Sequence, residues 1–315
     1  MKILLLGCNG QVGWELQRSL APLGDVIACD FDSVTDRRAD FTTPAAIGEL
    51  IDRIQPQIIV NAAAHTAVDK AESETDLAHT INAITPGVIA ERARALGALF
   101  VHYSTDYVFD GSGDQPRDEL AATGPLSVYG KTKLEGEERI RASGGRYLIF
   151  RTSWVYAARG HNFIKTMLRL AAERDELSVI SDQIGAPTGA DLLADVTAQT
   201  IAQVVAGRGE TGLFHCVAAG HTSWFDYARF VIEWARTQGL PVKVKPEAIR
   251  AVATEAYPTP AQRPRNSRLS TEKLQRVFSL ALPPWQPYCN IINRMSPPRG
   301  WRPTYSLPAH RARLP

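Results

Sequence analysis

The chain has 315 residues, 44% apolar and 22% charged, a balance that excludes wholesale disorder and, at roughly 100–200 residues per domain, suits one large or two closely joined domains. The formal charge of +2 hides an asymmetry: residues 287–315 carry Arg294, Arg299, Arg302, Arg311 and Arg313 and no acid, and without them 30 basic residues face 33 acidic ones, which argues against a nucleic-acid partner. No apolar run approaches the ~18 residues that span a bilayer, and Met1–Gly7 is too short an apolar start for a signal peptide, so a cytoplasmic chain with no membrane partner is expected.

Short apolar runs alternate with longer amphipathic ones. Lys2–Leu6 reads as a strand, Val12–Leu20 as a helix and Val26–Cys29 as a second strand. Ala45–Ile54 has helical spacing and stops before Pro56; Gln57–Val60 is a strand, and Glu74–Leu96 is a long helical pattern with a break expected near Thr85-Pro86. Leu99–Tyr103 and Tyr147–Phe150 are strands flanking a helix at Val128–Ala142. Farther on, Phe163–Arg174, Leu192–Val205 and Trp224–Gln238 read as helices, and Leu177–Ile180 and Leu213–Cys216 as strands. This alternation predicts an α/β fold, a Rossmann-like doubly wound parallel sheet covered on both faces. From Pro241 the rhythm fails and prolines crowd, so a smaller C-terminal substrate-binding lobe is expected over the ligand edge of the sheet. The expected division is 1–240 for the dinucleotide domain, with segments near 150–160 and 206–222 lent to the lobe, 241–286 for the lobe, and 287–315 for a poorly ordered tail.

Gly7-Cys8-Asn9-Gly10-Gln11-Val12-Gly13 joins the first strand to the first helix. Such a turn leaves backbone N–H groups free at a helix N-terminus, where pyrophosphate binds. Gly7 permits the tight turn, Gly10 the approach of phosphate, and Gly13 close packing of helix on strand. The spacing is G-x-x-G-x-x-G, so its place after an N-terminal strand carries the reading. Asp30 ends the second strand and suits an adenosine ribose, although a surface turn would also use an aspartate there; Arg37 and Arg38 could meet a 2′-phosphate, which leaves NADH and NADPH both open. Asp40-Phe41 is placed against the adenine, and the small residues after Asn61 let a cofactor pass close to the backbone.

Tyr129 and Lys133 are four residues apart and share a helix face. A free phenol has a pKa near ~10, and a neighbouring ammonium lowers it, so the pair suits acid–base work on a hydroxyl or carbonyl. Taken alone, Y-x-x-x-K is more often a solvated helix face. Lys131 lies on another face and is rejected for the role. Thr105, in Ser104-Thr105-Asp106, stands at the carboxyl edge of a strand and can hydrogen-bond a reacting oxygen. The four cysteines, Cys8, Cys29, Cys216 and Cys289, have neither disulfide-framework nor zinc spacing.

Together the glycine turn, Ser104-Thr105-Asp106 and Tyr129-x-x-x-Lys133 resemble the extended short-chain dehydrogenase/reductase superfamily. Val60–Glu72, His102–Phe109, Arg151–Tyr156, Asp182-Gln183-x-Gly185-Ala186-Pro187-Thr188 and Arg263–Leu269 narrow the resemblance to the dTDP-4-dehydrorhamnose reductase family, over about residues 1–286. The resemblance implies NAD(P)H-dependent reduction of the C4 keto group of a dTDP-sugar, dTDP-4-dehydro-6-deoxy-L-mannose, to dTDP-L-rhamnose. It implies that Tyr129 protonates the oxygen, that Lys133 lowers the pKa of Tyr129 and holds the nicotinamide ribose, and that Thr105 bonds the same oxygen. It places Gly10, Gln11, Val12, Asp30, Asp40, Phe41, Ala64, His65, Thr66, Tyr103, Tyr129 and Lys133 around the cofactor, and Thr105, Asp106, Tyr129 and Trp154 at the sugar nucleotide. Trp154 and His65 would by themselves read as core residues, and His65 is expected to contribute position or backbone. Asn266 and Arg268 are expected either to close over the nucleotide or to serve the lobe's structure.

The resemblance further implies a homodimer with Mg²⁺ near its interface, at Glu15 and Asp191; the family often has Glu at the latter position, and water can bridge the missing methylene. After Gln286 the resemblance ends: eight of the twenty prolines fall at or after Pro283, and the expected C-terminal helix is replaced by a divergent or frame-altered extension. Two other functions remain on the same residues. A nucleotide-sugar epimerase or dehydratase shares the fold, but dehydratases carry a second acid where this chain has Tyr107. A non-catalytic cofactor-binding regulatory subunit would not need Thr105, Tyr129 and Lys133.

Overall fold

The computed structural model describes residues 1–33 and 35–288. In chain order the strands are β1 Lys2–Leu6, β2 Asp25–Cys29, β3 Ile58–Asn61, β4 Leu99–Thr105, β5 Arg146–Thr152, β6 Val155–Tyr156, β7 Leu177–Ile180, β8 Ile184–Gly185, β9 Thr188–Gly189, β10 Gly212–His215, β11 Thr222–Ser223 and β12 Ile249–Val252. The helices are α1 Gln11–Leu20, α2 Pro44–Ile54, α3 Val68–Ala71, α4 Thr75–His79, α5 Thr85–Leu96, α6 Val128–Ala142, α7 Phe163–Glu173, α8 Ala190–Val205, α9 Trp224–Thr237, α10 Glu272–Phe278 and α11 Trp285–Tyr288. Six strands form one sheet in the order β10-β5-β4-β3-β1-β2, every pairing parallel.

Side-chain alternation along these strands builds two cores. Ile3, Leu5, Ile58, Val60, Leu99, Val101, Leu148 and Phe150 face the side covered by α1, α7, α8 and α9. Leu4, Leu6, Ile59, Phe100 and Ile149 face the other, covered by α2, α5 and α6. Strands buried on both faces are apolar at most positions, which is why their sequences read as near-continuous runs. The doubly wound α/β expectation therefore holds.

The break expected near Thr85-Pro86 takes a different form. The backbone stays helical from Thr75 to Leu96, and a π-helical turn at Thr80–Ile84 accommodates the proline. Pro86 has no N–H to give an i−4 carbonyl, and a widened turn absorbs that loss. The same turn brings Asn82 against Gly136 of α6, where a Cβ would lie 2.2 Å from the Asn82 carbonyl oxygen.

The segment 206–222 is divided. Gly212–His215 is the edge strand of the main sheet, whereas Thr222–Ser223 pairs with β8. Farther on, β12 pairs with β7, and β6 with β9, in two-stranded ribbons beside the sheet. Of the tail expected at 287–315, the described residues include only Pro287 and Tyr288, the last two of α11. The rest of the tail expectation, including its five arginines, lies outside the described residues. No helix among the described residues is long and apolar enough to cross a membrane.

Candidate active site

The turn after β1 is built for close approach. Gly7 has φ +79, and a Cβ there would lie 2.5 Å from the Ala63 nitrogen; a Cβ on Gly13 would lie 2.0 Å from the Gly7 oxygen. Gly10 is different: its Cβ would meet only the Gly7 oxygen, at 3.4 Å, so its surface is open for a ligand rather than filled by protein. No side chain caps α1, leaving its N-terminal dipole facing outward beside Gln11 and Val12. This donor set fits a dinucleotide pyrophosphate. Asp30 is buried and already accepts from the Asn9 N–H at 2.8 Å and the Phe31 N–H at 2.8 Å, so it orders the turn.

The other expected cofactor positions fall around the same edge. Asp40 caps its own turn through Thr42 (2.6 Å), and those hydrogen bonds hold its carboxyl below the usual range. Phe41 is buried, and its carbonyl accepts from Thr85. Ala64 and His65 are half-buried and Thr66 is exposed. The His65 backbone is held at both its N–H and its C=O by Asn82, and its ring pairs with Glu74 at 2.7 Å. Tyr103 does not direct its phenol to this edge: the hydroxyl meets Thr197 of α8 at 2.6 Å, and only its carbonyl faces the site.

Ser127 caps α6 through the Gly130 N–H, which sets the orientation of the first turn and hence of Tyr129 and Lys133. Tyr129 is half-buried, packs edge-on against Tyr107 at 5.5 Å and lies beside Thr105, which favours its ionised form. Thr105 donates to Asp106 at 3.0 Å. Asp106 is buried, and burial pushes its carboxyl up to about 6; its second oxygen has no hydrogen-bond partner. Lys131 is exposed, and Lys133 is buried.

No contact in this arrangement carries the expected acidification of Tyr129 by the Lys133 ammonium. Instead Lys133 Nζ donates to the Tyr103 carbonyl at 2.6 Å and meets His102 Nε2 at 3.1 Å. Burial drives the Tyr129 phenol up to about 12, with Asp106 adding to the rise and Thr105 opposing it, and burial pulls Lys133 down to about 8. The site thus holds a protonated phenol.

Trp154 has φ +50, rare for a non-glycine residue, and stacks on Trp224 with centroids 3.5 Å apart. Its ring lies over Gly185, where a Cβ would be 2.6 Å from Cε2. Asn266 is structural: its amide donates to the Gln115 carbonyl at 2.9 Å and its oxygen accepts from Arg268.

Glu15 faces Arg18 at 3.9 Å, and Asp191 accepts from the Leu192 N–H at 2.9 Å. No group of three His, Cys, Asp or Glu side chains among the described residues is arranged to hold a metal. Glu15 and Asp191 do not by themselves make up such a group within one chain.

Asn61, Asn82 and His102 are also built into the site. Their signal was polarity inside apolar strand and helix runs, since buried polar groups require partners.

A tyrosine and lysine one turn apart, a threonine at the end of β4 and a glycine turn at the end of β1 define the short-chain dehydrogenase/reductase class. A family model described as "RmlD substrate binding domain" matches residues 1–295. The dTDP-4-dehydrorhamnose reductase of Escherichia coli K12 is 58% identical over 286 residues, 91% of this chain and 95% of that protein. A Clostridium acetobutylicum dTDP-4-dehydrorhamnose reductase structure superposes with TM-score 0.84 at 38% identity, covering 94% of this chain and 99% of the other. The Bacillus anthracis reductase, solved in complex with NADP, gives TM-score 0.84 at 34% identity over the same shares. The chain belongs to the dTDP-4-dehydrorhamnose reductase family.

Proposed function

We propose that this chain reduces the C4 keto group of dTDP-4-dehydro-6-deoxy-L-mannose to give dTDP-L-rhamnose. The observation that carries the reading is the convergence of Tyr129, Thr105 and Lys133 at the carboxyl edge of β4, beside the open glycine turn. Reduced nicotinamide, when bound, supplies the hydride that reaches C4. Tyr129 gives its proton to the C4 oxygen as negative charge gathers there, so the carbonyl becomes a hydroxyl and the phenol a phenolate. Thr105, which gives its hydroxyl hydrogen to Asp106 before substrate binds, turns that hydrogen to the C4 oxygen and holds it in line with the phenol. Until then Asp106 fixes the direction of the Thr105 hydroxyl. Lys133 holds the nicotinamide ribose, and its charge stabilises the phenolate left after transfer. Burial of Thr105 and Asp106 keeps water from competing for the proton.

The assignment of residues 241–286 to a substrate lobe belongs to this proposal. Arg263 supports it, because it forks onto Asp69 with contacts of 3.0 and 2.7 Å and so ties that segment to α3. The homodimer and cytoplasmic location are parts of the same reading, and sedimentation velocity tests the dimer. Tyr107 stands where a dehydratase would carry its second acid and packs on Tyr129, which favours reduction over elimination. The test is absorbance at the reduced-nicotinamide band with the dTDP-ketosugar. Stoichiometric NADPH or NADH consumption by the wild type and its loss in Tyr129→Phe are expected. A retained, recycled cofactor without net consumption would point instead to an epimerase.

A further inference from the structure

Behind the catalytic helix lies a buried polar chain that the reaction as described does not use. Asn61, at the end of β3, is 1% exposed, as is His102 on β4. The Ala63 N–H donates to Asn61 Oδ1 at 2.9 Å. Asn61 Nδ2 meets His102 Nδ1 at 3.1 Å, and His102 Nε2 meets Lys133 Nζ at 3.1 Å.

The proton positions along this chain follow by elimination. A backbone N–H can only donate, so the atom it faces must be the amide oxygen of Asn61. The Asn61 NH₂ therefore points at His102, and Nδ1 must accept. A neutral imidazole that accepts at Nδ1 carries its hydrogen on Nε2. That hydrogen points at Lys133. An ammonium has three hydrogens and no lone pair, so it would oppose hydrogen to hydrogen across 3.1 Å. A neutral amine resolves the conflict: it accepts from Nε2–H and still donates to the Tyr103 carbonyl. Ala63 cannot easily move to relieve the constraint, because its nitrogen would lie 2.5 Å from a Cβ on Gly7, inside the tightly packed glycine turn.

We propose that Asn61 and His102 are positioning residues that act through Lys133: they hold its side chain in line with the Tyr103 carbonyl and disfavour its ammonium form, so that the charge of the lysine responds to pH near neutrality. The inference rests on the functional reading of Lys133 given above. The groups facing Lys133 are His102 and the Tyr103 carbonyl from β4 and, one turn along its own helix, Glu137, whose carboxylate is taken by Arg151 of β5 at 2.8 and 2.7 Å. Burial keeps His102 neutral, in agreement with the elimination.

Two substitutions reverse the polarity of the chain. Asn61→Asp accepts from both Ala63 and His102, which moves the imidazole hydrogen to Nδ1 and turns the Nε2 lone pair toward Lys133. His102→Gln can place its amide oxygen where Nε2 stood. Both give the ammonium an acceptor. The lysine then stays charged to higher pH, and the limb of the kcat/KM profile that depends on it moves up.

Nitrogen-15 spectra of the histidine-labelled, cofactor-free full chain, with His102→Gln to assign the signal, are expected to show His102 protonated at Nε2 only. Spectra of ε-carbon-labelled lysine, assigned with Lys133→Arg, are expected to show the Lys133 titration rising by about one pH unit in each variant. The alkaline limb of reductase activity is expected to follow. An Nδ1–H tautomer in the wild type, or an unmoved Lys133 titration in the folded variants, overturns the inference; if neither variant folds, the wild-type tautomer decides. Should the wild type show the expected tautomer and titration but never consume reduced nicotinamide with the ketosugar, the functional proposal fails and the positioning chain stands.

Discussion

At the scale of single residues, the site separates proton transfer from charge control. Tyr129 carries the proton, yet burial pushes its phenol up to about 12, so no titration of this group falls within the neutral range. Tyr129→Phe is expected to lower kcat by about 10²–10⁴ while leaving NADPH affinity near the wild-type value, read by steady-state kinetics beside fluorescence titration. Asp106 behaves differently. Its folded pKa, about 6, is raised by burial, so the carboxylate that accepts from Thr105 is lost as pH falls through that value. A protonated Asp106 can donate instead, and the Thr105 hydroxyl loses its fixed direction. Activity is therefore expected to fall on the acid side with an apparent pKa near 6. Asp106→Asn, which cannot titrate, is expected to flatten that limb at reduced kcat. A limb that persists unchanged in the variant assigns it to another group.

At the scale of elements, the glycine turn shows two requirements that the sequence pattern presents as one. Gly13 is demanded by the fold, since a methyl group there would lie 2.0 Å from a backbone oxygen. Gly10 is demanded by the ligand, since a methyl group there meets protein only at 3.4 Å. Gly13→Ala is expected to destabilise the chain by about 3 kcal/mol or more, through displacement of α1 from β1. Gly10→Ala is expected to keep the melting temperature within a few degrees and to lose NADPH affinity by at least about tenfold, as measured by thermal unfolding and binding titration. Most elements were legible in the sequence because strands buried on both faces are apolar over most of their length, and Ser127 and Gly10 mark helix starts. What was not legible depended on partners far along the chain. The π turn before Pro86 is held by packing against Gly136, and the phenol of Tyr103 turns to Thr197, 94 residues away. The catalytic lysine was identifiable from spacing, whereas its true neighbours, His102 and the Tyr103 carbonyl, required the register of β4 against α6.

At the scale of the whole molecule, the reactive helix is tied to the sheet by a buried ion pair that also belongs to the electrostatics of the site. Glu137 of α6 and Arg151 of β5 are 0% and 2% exposed and meet through two hydrogen bonds, while Arg151 lies 5.0 Å from the Phe109 ring. Removing one partner leaves the other charge buried and uncompensated, a loss of about 3–5 kcal/mol, larger than that of most single substitutions. Glu137 also faces Lys133 and favours its charged form. Glu137→Gln is therefore expected to act on two observables. The midpoint of denaturant unfolding should fall because Arg151 loses its counter-charge, and the alkaline limb of kcat/KM should move to lower pH because Lys133 loses a stabilising carboxylate. The opposite sign is expected of Asn61→Asp and His102→Gln, which supply Lys133 with an acceptor. Combining Glu137→Gln with His102→Gln should bring the limb back toward its wild-type position without restoring stability. If limb and stability instead recover together, the shift in Glu137→Gln came from loosening of α6 and not from the charge on Lys133.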